Sequence, residues 1–141
     1  GKRWVCKDCA AELGRDRMTK CRASIEDFSS VIMWRIRDRA RLRRKGAATI
    51  NPGWIVQQWD KQGGRCYYSN VPMELRSSPY LVTVERLDVS KGYTPENCVL
   101  AALCINMMRG STPIPEFKWW CQRVAENPVL DSVEPEPEKV E

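Results

Sequence analysis

The chain has 141 residues, 43% hydrophobic and 29% charged, a globular balance that suits one domain with additions. No apolar run comes near the roughly twenty residues of a membrane helix, so no membrane partner is expected. The net charge of +5 is uneven: Arg35, Arg37, Arg39, Arg41, Arg43, Arg44 and Lys45 oppose only Asp38, whereas from Glu126 onward six carboxylates oppose Lys139 alone. A basic middle with an acidic tail points to a polyanion partner, DNA or RNA, and leaves the tail outside that interface.

Residues 1–24 hold Cys6, Cys9 and Cys21, with Trp4 nearby. Cys6-Lys7-Asp8-Cys9 has the spacing of a knuckle that grips Zn²⁺ from one side of a tight turn. Cys21 begins a second such spacing, but Ser24 stands at its end. The chain contains no histidine, so a fourth ligand must be Cys66, Cys121, a carboxylate or water. The alternative is a degenerate ribbon with ordinary thiols. The seven cysteines are odd in number and no signal peptide is visible, so a reducing intracellular compartment is expected.

The stretch 25–48 reads as a basic helix. Asp27 or Ser29 is placed to cap it, Phe28, Ile32, Ile36 and Arg39 or Ala40 form one stripe, and Gly46 is its stop. Arginine at this density, with little Glu or Lys mixed in, suggests a phosphate-tracking helix more than a solvated face. Phosphate contacts carry no sequence information and serve DNA and RNA alike. A second helix follows over 49–63, with Thr49 or Asn51 as cap, Pro52 in the first turn, Trp54, Ile55 and Trp59 as apolar face, and Gly63-Gly64 as its end.

Arg65 to Asn70 reads as a short strand and turn, in which Asn70 tolerates positive φ. From Leu81 the pattern alternates as a strand, with Thr83 and Glu85 on one side and Val82 and Val84 on the other. Ser90-Lys91-Gly92 is a turn, Cys98 to Ala101 a second strand, and a helix carrying Asn106 ends at Gly110. A final amphipathic helix sets Phe117, Trp120 or Cys121, and Val124 in the core. From 127 the Pro- and Glu-rich tail buries too little apolar surface to fold alone.

The segments Thr83-Val84-Glu85-Arg86-Leu87-Asp88, Gly92-Tyr93-Thr94-Pro95-Glu96-Asn97 and Ile105-Asn106-Met107-Met108-Arg109-Gly110 resemble the HNH, or ββα-metal, endonuclease family in its phage and mobile-element branch. Gln62 to Asn70 is similar to the segment that precedes the hairpin in that branch. The resemblance covers residues 6–124 and is most specific over 62–109. It implies an α+β fold: a small ββα core within 49–126, flanked by the basic helix 25–48, a zinc-ribbon-like segment 1–24 and the acidic tail 127–141. It further implies that Glu85 and Asn106 hold Mg²⁺ or a similar divalent cation, with Asp88 as a spare carboxylate. Asn97 then pins the loop between the strands, and Arg86 stands where the family's usual general base is histidine.

A guanidinium stays protonated at physiological pH, so Arg86 can clamp a phosphate or steady developing charge but cannot take a proton from water. Two functions are therefore expected as alternatives. One is a metal-dependent DNA endonuclease whose branch carries Arg at this position. The other is a catalytically inactive descendant that binds DNA or RNA, or serves as a structural subunit of a large nucleoprotein assembly. Glu85, Asn97 and Asn106 favour the first; the missing histidine and the incomplete cysteine ribbon favour the second.

Overall fold

The computed structural model describes residues 23–42 and 48–132. Cys6, Cys9, Cys21, Arg43, Arg44, Lys45, Gly46 and the tail from 133 lie outside the described residues, and for Arg41 only the backbone is described. The chain is of the α+β class, with four helices and a two-stranded antiparallel sheet among the described residues. It divides into two compact units, the division falling between Met108 and Arg109 in the sequence. No helix among the described residues is long and apolar enough to cross a membrane.

Helix α1 (Ile25–Leu42) starts before either expected cap, Asp27 or Ser29. The Ser24 hydroxyl oxygen accepts from the Asp27 amide at 3.2 Å, satisfying one of the donors a helix start leaves orphaned. Asp27 lies in the first turn and Ser29 is buried, its hydroxyl donating to the Glu26 carbonyl at 2.7 Å. Ser24 therefore has a structural task of its own at the position where a second knuckle would carry cysteine. Ile25, Phe28, Ile32, Met33, Ile36 and Ala40 are buried, the i, i+3, i+4 stripe of an amphipathic helix. A fully buried Phe or Ile contributes about 1.5–3 kcal/mol.

Helix α2 (Pro52–Gln62) is capped by Asn51, whose side-chain oxygen accepts from the Trp54 amide at 2.9 Å. Its buried contact is Ile55, while Trp54 and Trp59 are half-buried. The helix stops where Gly63 and Gly64 both take positive φ, 59° and 67°. At Gly64 a Cβ would stand 2.9 Å from the Trp59 ring, so glycine is required twice over. Asn70 adopts the expected left-handed conformation, with φ 58°.

Strand β1 (Val82–Arg86) pairs antiparallel with β2 (Cys98–Ala102), Val84 opposite Leu100 and Arg86 opposite Cys98. The expected alternation of faces is masked, because every residue of both strands except Thr83 is buried. Helix α1 packs on β1 and α2 on β2, and the chain from Gln62 to Leu81 runs along both sheet edges. At one edge the Glu74 carbonyl accepts from the Val82 amide at 2.9 Å. At the other, Gln62 behaves as a missing strand: its side-chain oxygen accepts from the Leu100 amide and its nitrogen donates to the Leu100 carbonyl, both at 2.9 Å. The Ala102 amide donates to the Cys66 sulfur at 3.3 Å.

Helix α3 (Leu103–Arg109) follows β2 without a loop. Its first amides donate backward, Leu103 to the Leu81 carbonyl and Cys104 to that of Pro79. In the second unit, α4 (Ile114–Ala125) precedes a 3-10 turn (Pro128–Ser132). The expected core role of its apolar residues is corrected here. No α4 residue is buried: Phe117 is half-buried, while Trp120, Cys121 and Val124 are exposed. Trp119 and Trp120 instead meet edge to face at 4.7 Å.

Candidate functional site

The loop 87–97 is where the chain concentrates its polar cross-links. The Leu87 amide donates to the Asn97 carbonyl at 2.8 Å and closes the loop as a last rung of the ladder. Inside it, the Asn97 side-chain oxygen accepts from the Asp88 amide at 2.9 Å. Its nitrogen donates to the carbonyls of Asp88 and Gly92 at 3.0 and 2.9 Å. An asparagine amide carries both donor and acceptor, so one buried side chain satisfies three backbone groups. The Tyr93 carbonyl ties this loop to the start of α2, accepting from the Thr49 amide at 2.9 Å.

Arg86 belongs to the same loop. Its Nη1 donates to the Lys91 carbonyl at 3.0 Å, and its guanidinium carbon lies 5.0 Å from the centre of the Tyr93 ring, a cation–π contact. The residue is only 9% exposed. Asp88 caps the next turn: its Oδ1 accepts from the Ser90 amide and hydroxyl at 2.9 and 2.6 Å, and its Oδ2 lies 3.6 Å from Lys91 Nζ. Those hydrogen bonds from Ser90 hold its carboxyl below the ordinary value.

Glu85 and Arg86 are successive strand residues, so their side chains leave opposite faces. Thr83 shares the Glu85 face, and there the Asn106 side-chain nitrogen donates to Thr83 Oγ1 at 2.9 Å, while Thr83 Oγ1 donates to the Ala101 carbonyl at 2.8 Å. The structure thus groups Arg86, Asp88 and Asn97 around the loop, and Thr83 with Asn106 on the other side of β1, where Glu85 also points. Glu85 is buried.

Among the described residues no three or more His, Cys, Asp and Glu side chains cluster closely enough to hold a metal. With the Asn106 nitrogen committed to Thr83, its oxygen and the Glu85 carboxylate are the hard donors on that side. Mg²⁺ usually takes one or two protein carboxylates and completes its shell with water and phosphate oxygens. Cys98, opposite Arg86, offers no thiolate: burial pushes its thiol up to about 12.

On α1, Arg35 is half-buried and Arg37 and Arg39 are exposed, and no described carboxylate forms an ion pair with them. Two participants escaped the sequence reading. Thr83 is the direct partner of Asn106, signalled only by its sharing a strand face with Glu85. Tyr93 carries the Arg86 guanidinium, and nothing in the spacing of Arg86 and Tyr93 announces a stacked pair. Comparison with known proteins yields no relative: no family model, no curated protein and no solved structure matches this chain.

Proposed function

We propose that the chain is a nucleic-acid-binding protein built on an HNH-like ββα unit, in which the hairpin loop serves as a rigid shape and the unit does not cleave. The observation that carries this reading is the placement of Arg86. It points away from the Glu85 and Asn106 side of β1, stacks on Tyr93 and donates to the Lys91 carbonyl. Its charge is used inside the loop, and the chain has no histidine to activate water. The outer arginines of α1 supply the affinity, through phosphates of DNA or RNA. If a divalent cation binds, Glu85 and Asn106 are the residues that would hold it, and it would supply positive charge toward a phosphate.

The test is a nicking assay on supercoiled plasmid with Mg²⁺ or Mn²⁺, run beside a gel-shift measurement on the same DNA. The expected outcome is retarded but intact plasmid with the native chain and with Arg86→His, since a histidine placed in the loop is on the wrong side of the strand. Metal-dependent nicking by the native chain that Glu85→Gln abolishes would restore the endonuclease reading.

A further inference from the structure

We infer that the cleft between α1 and β1 is a socket for a single backbone phosphate, gripped jointly by Arg35 and Arg39. The inference rests on the nucleic-acid reading above and assigns it a particular seat. The cleft is open to solvent, with a volume of about 80 Å³, and is lined by Arg35, Ile36, Arg39, Thr83, Val84 and Leu103 among others. Arg35 and Arg39 are one helical turn apart, so their side chains rise from the same side of α1, whereas Arg37 leaves nearly the opposite side.

A third donor comes from the strand. The Leu87–Asn97 rung sets the ladder, so Thr83 and Glu85 make the hydrogen bonds to β2 while the Val84 amide and carbonyl point outward. The neighbouring Val82 amide is taken by Glu74, but no described residue bonds the Val84 amide. A cleft lined by two arginines and by a strand residue whose amide points outward is complementary to a tetrahedral oxyanion. The apolar wall of Ile36 and Leu103 lowers the local dielectric and strengthens the attraction. Thr83, which lines the cleft and accepts from Asn106, stands on the Glu85 side of the strand. A phosphate seated here brings the adjoining phosphodiester toward that side of β1.

A socket for one phosphate makes a counting prediction. Binding of a fluorescein-labelled random-sequence duplex is followed by anisotropy between about 50 and 200 mM salt for the native chain, Arg35→Ala, Arg39→Ala, the double variant and Arg37→Ala. Each neutralised phosphate contributes about 0.9 to the slope of log affinity against log salt. If the two arginines share one phosphate, the double variant loses about 0.9 in all, and each single variant, which leaves one guanidinium on that phosphate, loses less than that. Adding Arg37→Ala to the double variant then removes a further increment of the same size. Additive losses of about 1.8 in the Arg35 and Arg39 double variant, with duplex binding retained, overturn the shared socket and leave the nucleic-acid reading standing. No binding to duplex or single strand overturns that reading together with the ligand assigned here. A second measurement needs no nucleic acid: inorganic phosphate titrated into ¹⁵N-labelled protein should shift the Val84 amide resonance in the native chain and not in the double variant. A Val84 resonance indifferent to phosphate, or shifted equally in both, counts against the socket. The buried stripe of α1 is untouched by these changes, and circular dichroism confirms that each variant is folded.

Discussion

The loop 87–97 and the outer side of α1 are both crowded with polar groups, and they use them in opposite ways. In the loop, Arg86, Asp88 and Asn97 each bond within ten residues of themselves, and the result is a fixed shape. On α1, Arg35, Arg37 and Arg39 have no described carboxylate to neutralise them. The difference separates structure from recognition: groups satisfied internally decide the fold, and groups left to solvent decide what can approach. A cation in the sequence is therefore not a ligand-binding cation until its intramolecular partners are known. Arg86 and Arg35 look alike in the sequence and belong to different classes.

The sharpest way to break that contrast is Asn97→Ala. It removes three hydrogen bonds and strands an amide and two carbonyls in a part-buried loop, so at about 1 kcal/mol per bond the loss should reach about 3 kcal/mol. Urea unfolding measures it; a loss below about 1 kcal/mol would mean that the loop holds its shape without this side chain. A smaller effect is expected from Arg86→Ala. One hydrogen bond and one cation–π contact together suggest about 1–2 kcal/mol. If Arg86→Ala left stability unchanged but weakened nucleic-acid binding, Arg86 would belong with the α1 arginines and the contrast would be wrongly drawn.

The smallest effect is in acid. Glu74 is pulled down to about 2, chiefly by the paired hydrogen bonds from the Arg76 guanidinium at 2.9 and 3.1 Å, and Asp88 is also lowered, by Ser90. Both carboxyls bind protons less readily folded than unfolded. Their contribution is therefore complete above the ordinary carboxylate range and disappears as pH falls from about 4.5 toward 2. Both are surface groups screened by water and salt, so the decline should be slight. Urea midpoints at pH 5 and pH 3 should differ less in Glu74→Gln than in the native chain, and an equal difference would remove Glu74 from the account.

Much of the framework was legible because local chemistry decided it. The stripe of Phe28, Ile32, Ile36 and Ala40, the Asn51 cap, and positive φ at Asn70 each follow from spacing or from one residue's stereochemistry. The role of Asn97 was expected only from the family resemblance, and its side chain does bond the Asp88 and Gly92 backbone across the loop. The misses have a common origin in tertiary context. Ser24 reads as a failed ligand position but caps α1, because a cap is recognised only once the helix start is known. Thr83 and Glu85 do share one side of β1 as expected, but the alternation does not disclose that Glu85 is buried, because helices and the chain before β1 enclose a sheet of only two strands. The Phe117 to Val124 periodicity is real, but periodicity states which side of a helix is apolar and not what covers it.

Gln62 carries one further consequence. A two-stranded ribbon has two exposed borders, and a border with open main-chain groups invites any passing chain to extend it. By offering both amide groups to Leu100, Gln62 occupies the place where an intruding backbone would dock, and the Cys66 sulfur does the same for the next outward amide at Ala102. The β2 border is thereby closed to growth, which guards the hairpin against self-templated fibres. It also means that no partner can be recruited there by lengthening the sheet.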